Sequence, residues 1–494
     1  MSDSVNNDGL PRGWTWASPD ELACPERHSL GIGPFGSDLK VSDYRDSGIP
    51  LVFVRNIRTG RFGGEQAKYV SSEKAKALRA HEVKPGDVLI TKMGDPPGDA
   101  CVYPAMAPAG VITADCIRWR VRPGVVLPAF LVYATRTSQV HDQILEKTQG
   151  VAQKKISLGR FQRVRYPLAP LPEQHRIVAE IETQFTRLDA AVATLERVQV
   201  KLKRARASVL KAAVEGRLVP TEADLARSQK RTYEPANVLL ARVLVERKAR
   251  WTKGKKYVEP VKPDTEGLAG LPEGWVWASV DQTCAQVTDG DHLPPPTTET
   301  GIPFLVIGDV RTGHLDFTAC RRVAPSYYDA LDWKRRPDSA DLLYTVVGSL
   351  GIPVRVPTDA PFCVQRHIAV LKAPPAAMRG FLYTCLASPF VFRQATKKAT
   401  GTAQKTLGLG PLREIAVPLP PLAEQTRIVA EVDRRLSVLD ALDTTVAHNL
   451  VKCARLRQSI LKRAFEGKLV PQEPADHPAK TLPVRVSQQV SDVV

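Results

Sequence analysis

The feature that most constrains this chain is that it repeats itself. RIVAE stands at 176–180 and again at 427–431, and EGRLVP (215–220) returns as EGKLVP (466–471), both at an offset of 251 positions (427 − 176 and 466 − 215). Aligning 171–220 with 422–471 without a gap gives 25 identities in 50 positions, which chance does not supply, so the segment is a duplication. Upstream the likeness is patchy. LPRGWTWAS (10–18) answers LPEGWVWAS (271–279), GIPLVFV (48–54) answers GIPFLVI (301–307), and GVAQKKISLG (150–159) answers GTAQKTLGLG (401–410). Between these anchors the copies diverge. A period this long does not suit a solenoid and implies two copies of a domain-plus-helix unit.

The repeated segments read as long helices. In the first, Ile181, Leu188, Leu195, Leu202 and Val209 stand seven apart, beside a companion row of Ile177, Ala191, Val198, Ala205 and Ala212 that Gln184 interrupts. The second carries Val432, Leu439, Val446, Cys453 and Ile460 at the same spacing. Such a stripe is a coiled-coil seam. Pro172 suits a first helical turn, and Gly216 and Gly467 suit helix ends. About 40 helical residues give a length of about 60 Å. Neither stripe is stable in water alone, and the nearest partner for each helix is the other, present once per chain. Pairing with the same helix of a second chain is the alternative.

The remaining sequence divides around these helices. Residues 1–170 and 271–421 read as mixed α/β domains with a strand bias, from alternations such as CIRWRV (116–121) and frequent Pro and Gly punctuation. Each holds one expected helix, AFLVYATRTSQVHDQILEK (129–147) and FLYTCLASPFVFRQATKK (381–398). Residues 221–270 form a connector with one expected helix, PANVLLARVLVERKARW, then the basic run TKGKKY near Lys253–Lys256. The tail, 472–494, is Pro-rich and polar, as a loose segment would be. The fold class is therefore α+β: two mixed α/β domains joined by two long helices.

Composition narrows the function. Net charge is +17, which favours polyanionic partners, nucleic acid above all. The start, MSDSVNNDGLPRGW, has no basic-then-apolar signal segment, and no apolar run reaches membrane-spanning length, so a cytoplasmic chain is expected. Eight scattered cysteines without a CxxC pair read as reduced, mostly buried thiols, not a metal site.

Motifs for chemistry fail one by one. GIGPFG (31–36) satisfies GxGxxG, but Pro34 sits inside it, and no buried strand is expected before it, so it reads as a turn. MGDPPGDA (93–100) imitates the Asp-Pro-Pro-aromatic loop of amino-group methyltransferases, yet Gly98 replaces the aromatic that would stack on a base. No GxxxxGK[ST] loop is present, and Asp289 and Asp291 in TDGDH lack a nuclease-like D…ExK constellation. What remains is two diverged basic domains on matched helices, an arrangement that can read two short DNA elements at a fixed distance, as dimeric repressors read half-sites.

Several stretches, taken in order, resemble one family: GPFGSDLKVSDY…GIPLVFVRNI (33–57), KPGDVLITKMG (84–94), LPEQHRIVAEIE (171–182), AVEGRLVP (213–220), EPANVLLARVLVERKARW, LPEGWVWASV and SILKRAFEGKLVP (459–471). Together they are similar to the specificity subunit of Type I restriction–modification systems over nearly the whole chain. The resemblance implies two target-recognition domains, each reading one half of a bipartite DNA sequence, and an intramolecular antiparallel coiled coil that sets the spacer. It implies no catalytic site and no cofactor in this chain. Two modification subunits would bring AdoMet and methylate adenine; two restriction subunits would bring ATP with Mg for translocation and cleavage.

For DNA contact the candidates are the paired loops Gln153, Lys154, Lys155 and Gln404, Lys405. Next come Lys40, Arg55 and Lys92 in the first domain and Arg311, Arg355 and Arg366 in the second. For partner docking they are the repeated polar residues Arg176, Glu180, Lys211, Arg427, Glu431 and Lys462, which seam pairing alone does not explain. Two other functions remain open: a stand-alone DNA-binding regulator built on the same two domains, and a single-chain methyltransferase or nuclease with degenerate motifs.

Overall fold

The computed structural model describes residues 9–57, 60–63, 68–150, 153–251, 257–292, 295–402 and 404–479. The basic run at Lys253–Lys256 lies outside them. The chain forms two compact units, residues 1–195 with 448–494, and residues 196–447. Each unit therefore holds one of the two α/β domains and part of each long helix.

In the first unit β1 (Thr15–Ala17) pairs antiparallel with β10 (Tyr166–Leu168), bringing the two ends of the domain together. Between them lie β2 (Leu30–Ile32), β3 (Ile49–Val52), β4 (Lys68–Val70), β5 (Glu82–Val83), β6 (Val88–Thr91), β7 (Ala100–Val102), β8 (Gly110–Ile112) and β9 (Cys116–Trp119). They form two four-stranded sheets, ordered β2-β9-β6-β7 and β4-β3-β8-β5. The second unit repeats the plan. There β11 (Val276–Ser279) pairs with β19 (Ala416–Leu419) around β12 (Gln286–Asp289), β13 (Ile302–Leu305), β14 (Arg321–Val323), β15 (Leu342–Thr345), β16 (Pro353–Arg355), β17 (Cys363–Val364) and β18 (Ile368–Lys372). Its sheets run β12-β18-β15-β16 and β14-β13-β17.

The central strands are apolar on both faces because each divides two cores. Val88, Ile90, Ile117 and Trp119 face the cluster around Phe130 and Ile177, while Leu89 and Cys116 face Val52 and Ile112. In the second unit Leu342, Tyr344 and Leu371 face Phe381 and Ile428, and Leu343 and Val370 face Leu305. A period of two is thus hidden inside a continuous apolar run. All eight cysteines are free. Burial pushes the thiols of Cys101, Cys116, Cys284 and Cys363 up to about 12, where they are inert packing groups.

The long helices run Leu171–Val214 and Leu422–Phe465. In the first unit Ile177, Ile181 and Phe185 pack with Ile460, Leu461 and Phe465; in the second, Leu210 and Val214 pack with Ile428 and Val432. Each unit sets the beginning of one helix against the end of the other, so the pairing is antiparallel and intramolecular. Asp189 pairs with Arg457 in the first unit and Arg206 with Asp440 in the second. These are one contact made twice, since 440 − 189 and 457 − 206 both equal the repeat offset of 251.

Four sequence expectations are corrected. The stretch 129–147 is two helices, Pro128–Thr135 and Ser138–Glu146, because the Thr137 hydroxyl accepts the Val140 N–H and starts a new one. Likewise Ser388 caps Pro389–Lys398 and separates it from Ala376–Ala387. The connector holds a second helix, Glu222–Gln229, capped by Thr221 but too short and polar to show a periodic stripe. Residues 472–479 are not loose: Gln472 donates to the Arg12 carbonyl at 3.1 Å, Ala479 N–H donates to the Gly13 carbonyl at 2.8 Å, and Asp476 takes Arg176 at 2.6 Å. No buried strand precedes GIGPFG, as expected: β2 overlaps its first two residues and is only half-buried.

Gly216 and Gly467 follow the helix ends with φ of +68° each, and a Cβ on either would lie 2.6 Å or 2.7 Å from the Cγ of Pro272 or Pro11. Gly216→Ala and Gly467→Ala should each lower stability by about 1–2 kcal/mol from the left-handed backbone alone, read as a lower urea midpoint. A midpoint that does not move in either variant would contradict the assignment of these glycines as helix stops.

Candidate nucleic-acid interface

The loop that carries Gln153 to Lys155 is held by backbone. Gly94 N–H donates to the Lys154 carbonyl at 3.2 Å, Ile156 N–H donates to the Lys92 carbonyl at 3.0 Å, and Gln149 and Lys155 exchange two hydrogen bonds of 2.9 Å. The loop at Gln404 and Lys405 is built the same way. Gly348 N–H donates to the Lys405 carbonyl at 3.1 Å, Leu407 N–H to the Val346 carbonyl at 2.8 Å, and Thr400 and Thr406 exchange a pair. The MGDPPG segment is thus the loop joining β6 to β7, and VVGSLG (346–351) is its counterpart between β15 and β16. Backbone makes the shape, so the side chains are free for other work: Gln153, Lys154, Lys155, Gln404 and Lys405 are all exposed. Lys154 lies 3.7 Å from Asp95, a loose and solvated pair.

The ends of several strands meet beside each loop. In the first unit Gly33 N–H donates to the Cys116 carbonyl, Thr113 N–H to Val52 and Lys92 N–H to Asp115, while the Lys92 ammonium reaches the Ala114 carbonyl at 3.1 Å. In the second, Gly290 N–H donates to Ile368, Gln365 N–H to Leu305 and Arg366 N–H to Asp291. One end of the first domain therefore gathers Gln153, Lys154, Lys155 and Lys92, with Arg55 on the turn after β3, its guanidinium 4.1 Å over the Phe53 ring. The matching end of the second gathers Gln404, Lys405 and the exposed Arg366, with Arg311 on the turn after β13.

Two candidates stand elsewhere. Lys40 begins the 3-10 turn Val41–Asp43, which Asp43 ties to Lys74 at 3.1 Å, next to the start of β3 and away from its end. Arg355 lies opposite Leu342 at the start of β15, 3.6 Å from Asp433 of the second long helix and 4.4 Å over the Tyr383 ring. Sequence reasoning missed a polar knot at the same end of the second domain as Gln404 and Lys405. Asp291 accepts the Tyr327 hydroxyl at 2.6 Å and Arg335 at 3.2 Å, and Asp289 sits 3.0 Å from His292. TDGDH showed the two carboxylates, but nothing local showed Tyr327 or Arg335. Among the described residues no group of three or more His, Cys, Asp or Glu is placed to hold a metal ion, and no helix is long and apolar enough to cross a membrane.

Residues 348–448 match the family model of the Type I restriction modification DNA specificity domain. The chain is 26% identical over 451 residues to the Type I restriction enzyme EcoBI specificity subunit of Escherichia coli, covering 90% of this chain and 85% of that protein. It is 22% identical over 496 residues to the EcoKI specificity subunit of E. coli strain K12, covering 95% and 92%. A chain from a solved structure described as the basis of complex assembly and conformational transition of the type I R-M system shares the fold, with a TM-score of 0.60 at 21% identity over 93% of this chain and 99% of that one. Over nearly its whole length the chain is similar to Type I specificity subunits.

In this chain the repeated polar residues meet three different environments. Arg176 pairs with Asp476 at 2.6 Å and Arg427 with Glu222 at 2.7 Å, and each also approaches the carbonyl of Pro471 or Pro220 at 3.4 Å. These arginines therefore clamp the LVP turns within their own units. Glu180 accepts from Gln184 at 2.6 Å. Arg434 and Arg435 flank Glu431 and hold its carboxyl down at about 2. Lys211 and Lys462 are exposed, 3.9 Å and 3.8 Å from Glu215 and Glu466.

A further repeated pair is internal. Glu173 accepts the Trp14 indole N–H at 3.0 Å and Glu424 accepts that of Trp275 at 3.1 Å. Burial raises both carboxyls above their ordinary range. The folded chain keeps protons there that the unfolded chain has lost, so their contribution to stability declines as pH rises from the ordinary carboxylate value through the folded one. Glu173→Gln keeps an acceptor for Trp14 without the charge and should flatten this decline, with stability within about 1 kcal/mol of the parent. Glu173→Leu orphans the indole and should cost about 1–3 kcal/mol. Urea unfolding at acidic and neutral pH checks both; equal loss in the two variants would mean the indole bond is not what the site provides.

Proposed function

We propose that the chain is the non-catalytic DNA-recognition subunit of a Type I restriction–modification complex, each domain reading one half of a bipartite double-stranded target. The observation that carries this reading is the reading-end loop, built twice from the same backbone bonds but furnished differently. Exposed Lys155 in the first unit is replaced by half-buried Thr406 in the second, and Lys92 by a valine that joins the core, Val346, while Gln-Lys is kept. Two alike frames with unlike side chains suit two unlike half-sites. Exposed Lys side chains fit phosphates, and exposed Gln fits the donor–acceptor edge of adenine.

On this reading the paired helices fix the number of base pairs between the halves. Two modification subunits dock on the repeated helices, where exposed Lys211 and Lys462 offer equivalent contacts. Those subunits supply AdoMet and methylate adenine; two restriction subunits supply ATP-driven translocation and cleavage with Mg. This chain binds none of these cofactors itself and contributes the choice of site.

Co-expression with a methyltransferase subunit should give a stable complex of two such subunits per chain, and sequencing methylated adenines in exposed DNA should return one bipartite motif. Failure to assemble, with selective DNA binding retained by the chain alone, would favour a stand-alone regulator. Within the complex, Gln153→Ala with Lys154→Ala should relax one half of the motif by about 1–3 kcal/mol per lost bidentate contact and leave the other half intact. Equal relaxation of both halves would refute separate reading.

A further inference from the structure

The reading ends carry a second feature that the loops do not explain. In the first unit β2 ends at Ile32 and the chain turns through Gly33, Pro34 and Phe35. Pro34 is buried, Asp38 N–H closes the turn on the Phe35 carbonyl at 2.9 Å, and the Phe35 ring is 70% exposed. A lone exposed apolar side chain means little. The second unit gives it weight. Register aligns Ile32, opposite Ile117, with Asp289, opposite Ala369, and Gly33 with Gly290, whose N–H groups bond Cys116 and Ile368 at 3.2 Å each. Phe35 then falls on His292, whose side chain is 58% exposed and whose ring nitrogen lies 3.0 Å from Asp289. Both glycines are forced, since a Cβ on Gly33 would collide with the Thr113 carbonyl and one on Gly290 with the Val364 carbonyl.

Two domains with diverged loops thus keep a planar ring at one position, two residues past a glycine pressed onto the neighbouring backbone. The ring shares its end of the domain with cations: Lys92 reaches the Ala114 carbonyl, next to the residue Gly33 touches, and Lys154 and Lys155 follow on the adjoining loop. An apolar ring held forward among cations fits a surface that is anionic outside and aromatic within, which is a base stack behind its phosphates.

We propose that Phe35 inserts its ring at a base step of the first half-site, and that His292 occupies the equivalent step of the second. This rests on the DNA-recognition reading and adds to it a contact with the base stack, separate from phosphate and base-edge contacts. The ring makes no ion pair with phosphate, so its removal weakens binding without changing how many counterions are released.

The test uses the full chain assembled with its modification subunits and a duplex carrying the bipartite site found by sequencing methylated adenines. 2-Aminopurine replaces one base at a time. The parent complex should raise the fluorescence at one step in each half. Phe35→Ala should abolish the rise in the first half only and weaken binding at least about fivefold, with an unchanged slope of log affinity against log salt. Phe35→Trp should restore both, and His292→Ala should silence the second half only. Unchanged fluorescence and affinity in Phe35→Ala would overturn the insertion, as would lost assembly with the modification subunits, which would make the ring a protein contact. A parent complex that selects no duplex would sink DNA recognition itself, before any variant is compared.

Discussion

Each long helix begins with a carboxylate sealed beneath an indole, and the rest of its unit is arranged from that point. A buried carboxylate is costly unless its oxygens are satisfied. Glu424 is satisfied twice, by the Trp275 indole and by the Glu222 N–H at 2.8 Å, and Glu173 by Trp14 and Gln472. The glutamine that follows completes the joint. Gln174 donates to the carbonyls of Val125 and Ala169 and accepts from Leu127 N–H, and Gln425 donates to the Pro420 carbonyl. These bonds fasten the first turn of each helix to its own domain, and within each unit the first turns of one helix pack against the last turns of the other.

From there the energy and the register have different sources. The seam of Ile, Leu, Val and Phe provides the burial, while the pairs Asp189–Arg457 and Arg206–Asp440 sit at its partly exposed margin, where ion pairs add little stability. Their use is in choosing among sliding registers that an apolar stripe alone tolerates. Arg457 also lies 5.0 Å over the Phe185 ring, so its guanidinium is held on the seam and cannot serve a neighbouring register equally well. Because the same contact is written once per copy, a change in one copy leaves a mismatch in one unit only. This is a reason for the two segments to stay alike without any outside partner.

The sequence was legible where the information is local or repeated. The seam residues Ile181, Val432, Val446, Cys453 and Ile460 are buried as their spacing required, and Gly216 and Gly467 end their helices. Trp14 and Trp275 could be seen as repeated, and so could Glu173 and Glu424, but no spacing announces that residues 159 or 149 positions apart share a hydrogen bond. Arg176 and Arg427 looked like surface for the same reason. Their acids, Asp476 and Glu222, lie in segments read as tail and connector, where a short polar stretch has no periodic signature. Lys40 and Arg355 stand apart from the other cations because composition marks a cation but not the end of the strand from which it projects. The ring of Phe35 was hidden inside a false nucleotide motif, and its match to His292 exists only in strand register.

The division between frame and furnishing follows from where each hydrogen bond comes from. In the first unit a two-pronged bond between Arg120 and Asp87, 2.9 Å on both arms, locks the far ends of β9 and β6; in the second, Lys372 takes that place against Asp341 at 2.6 Å, with Asp338 at 3.1 Å as a second acceptor. The exchange of a fork for a point charge is tolerated because the buried carboxylate still has a cation, supplemented where the geometry is poorer. At the opposite ends of the same strands, the loops are held through N–H and carbonyl groups, which every residue but proline supplies in full. A side chain there can change from Lys155 to Thr406 or from Phe35 to His292 without removing a bond that the fold needs. If these ends read DNA, new specificity is reached by exposed substitution on an unchanged frame, whereas a new partner for Glu173 or Arg457 would require the helix joint itself to be rebuilt.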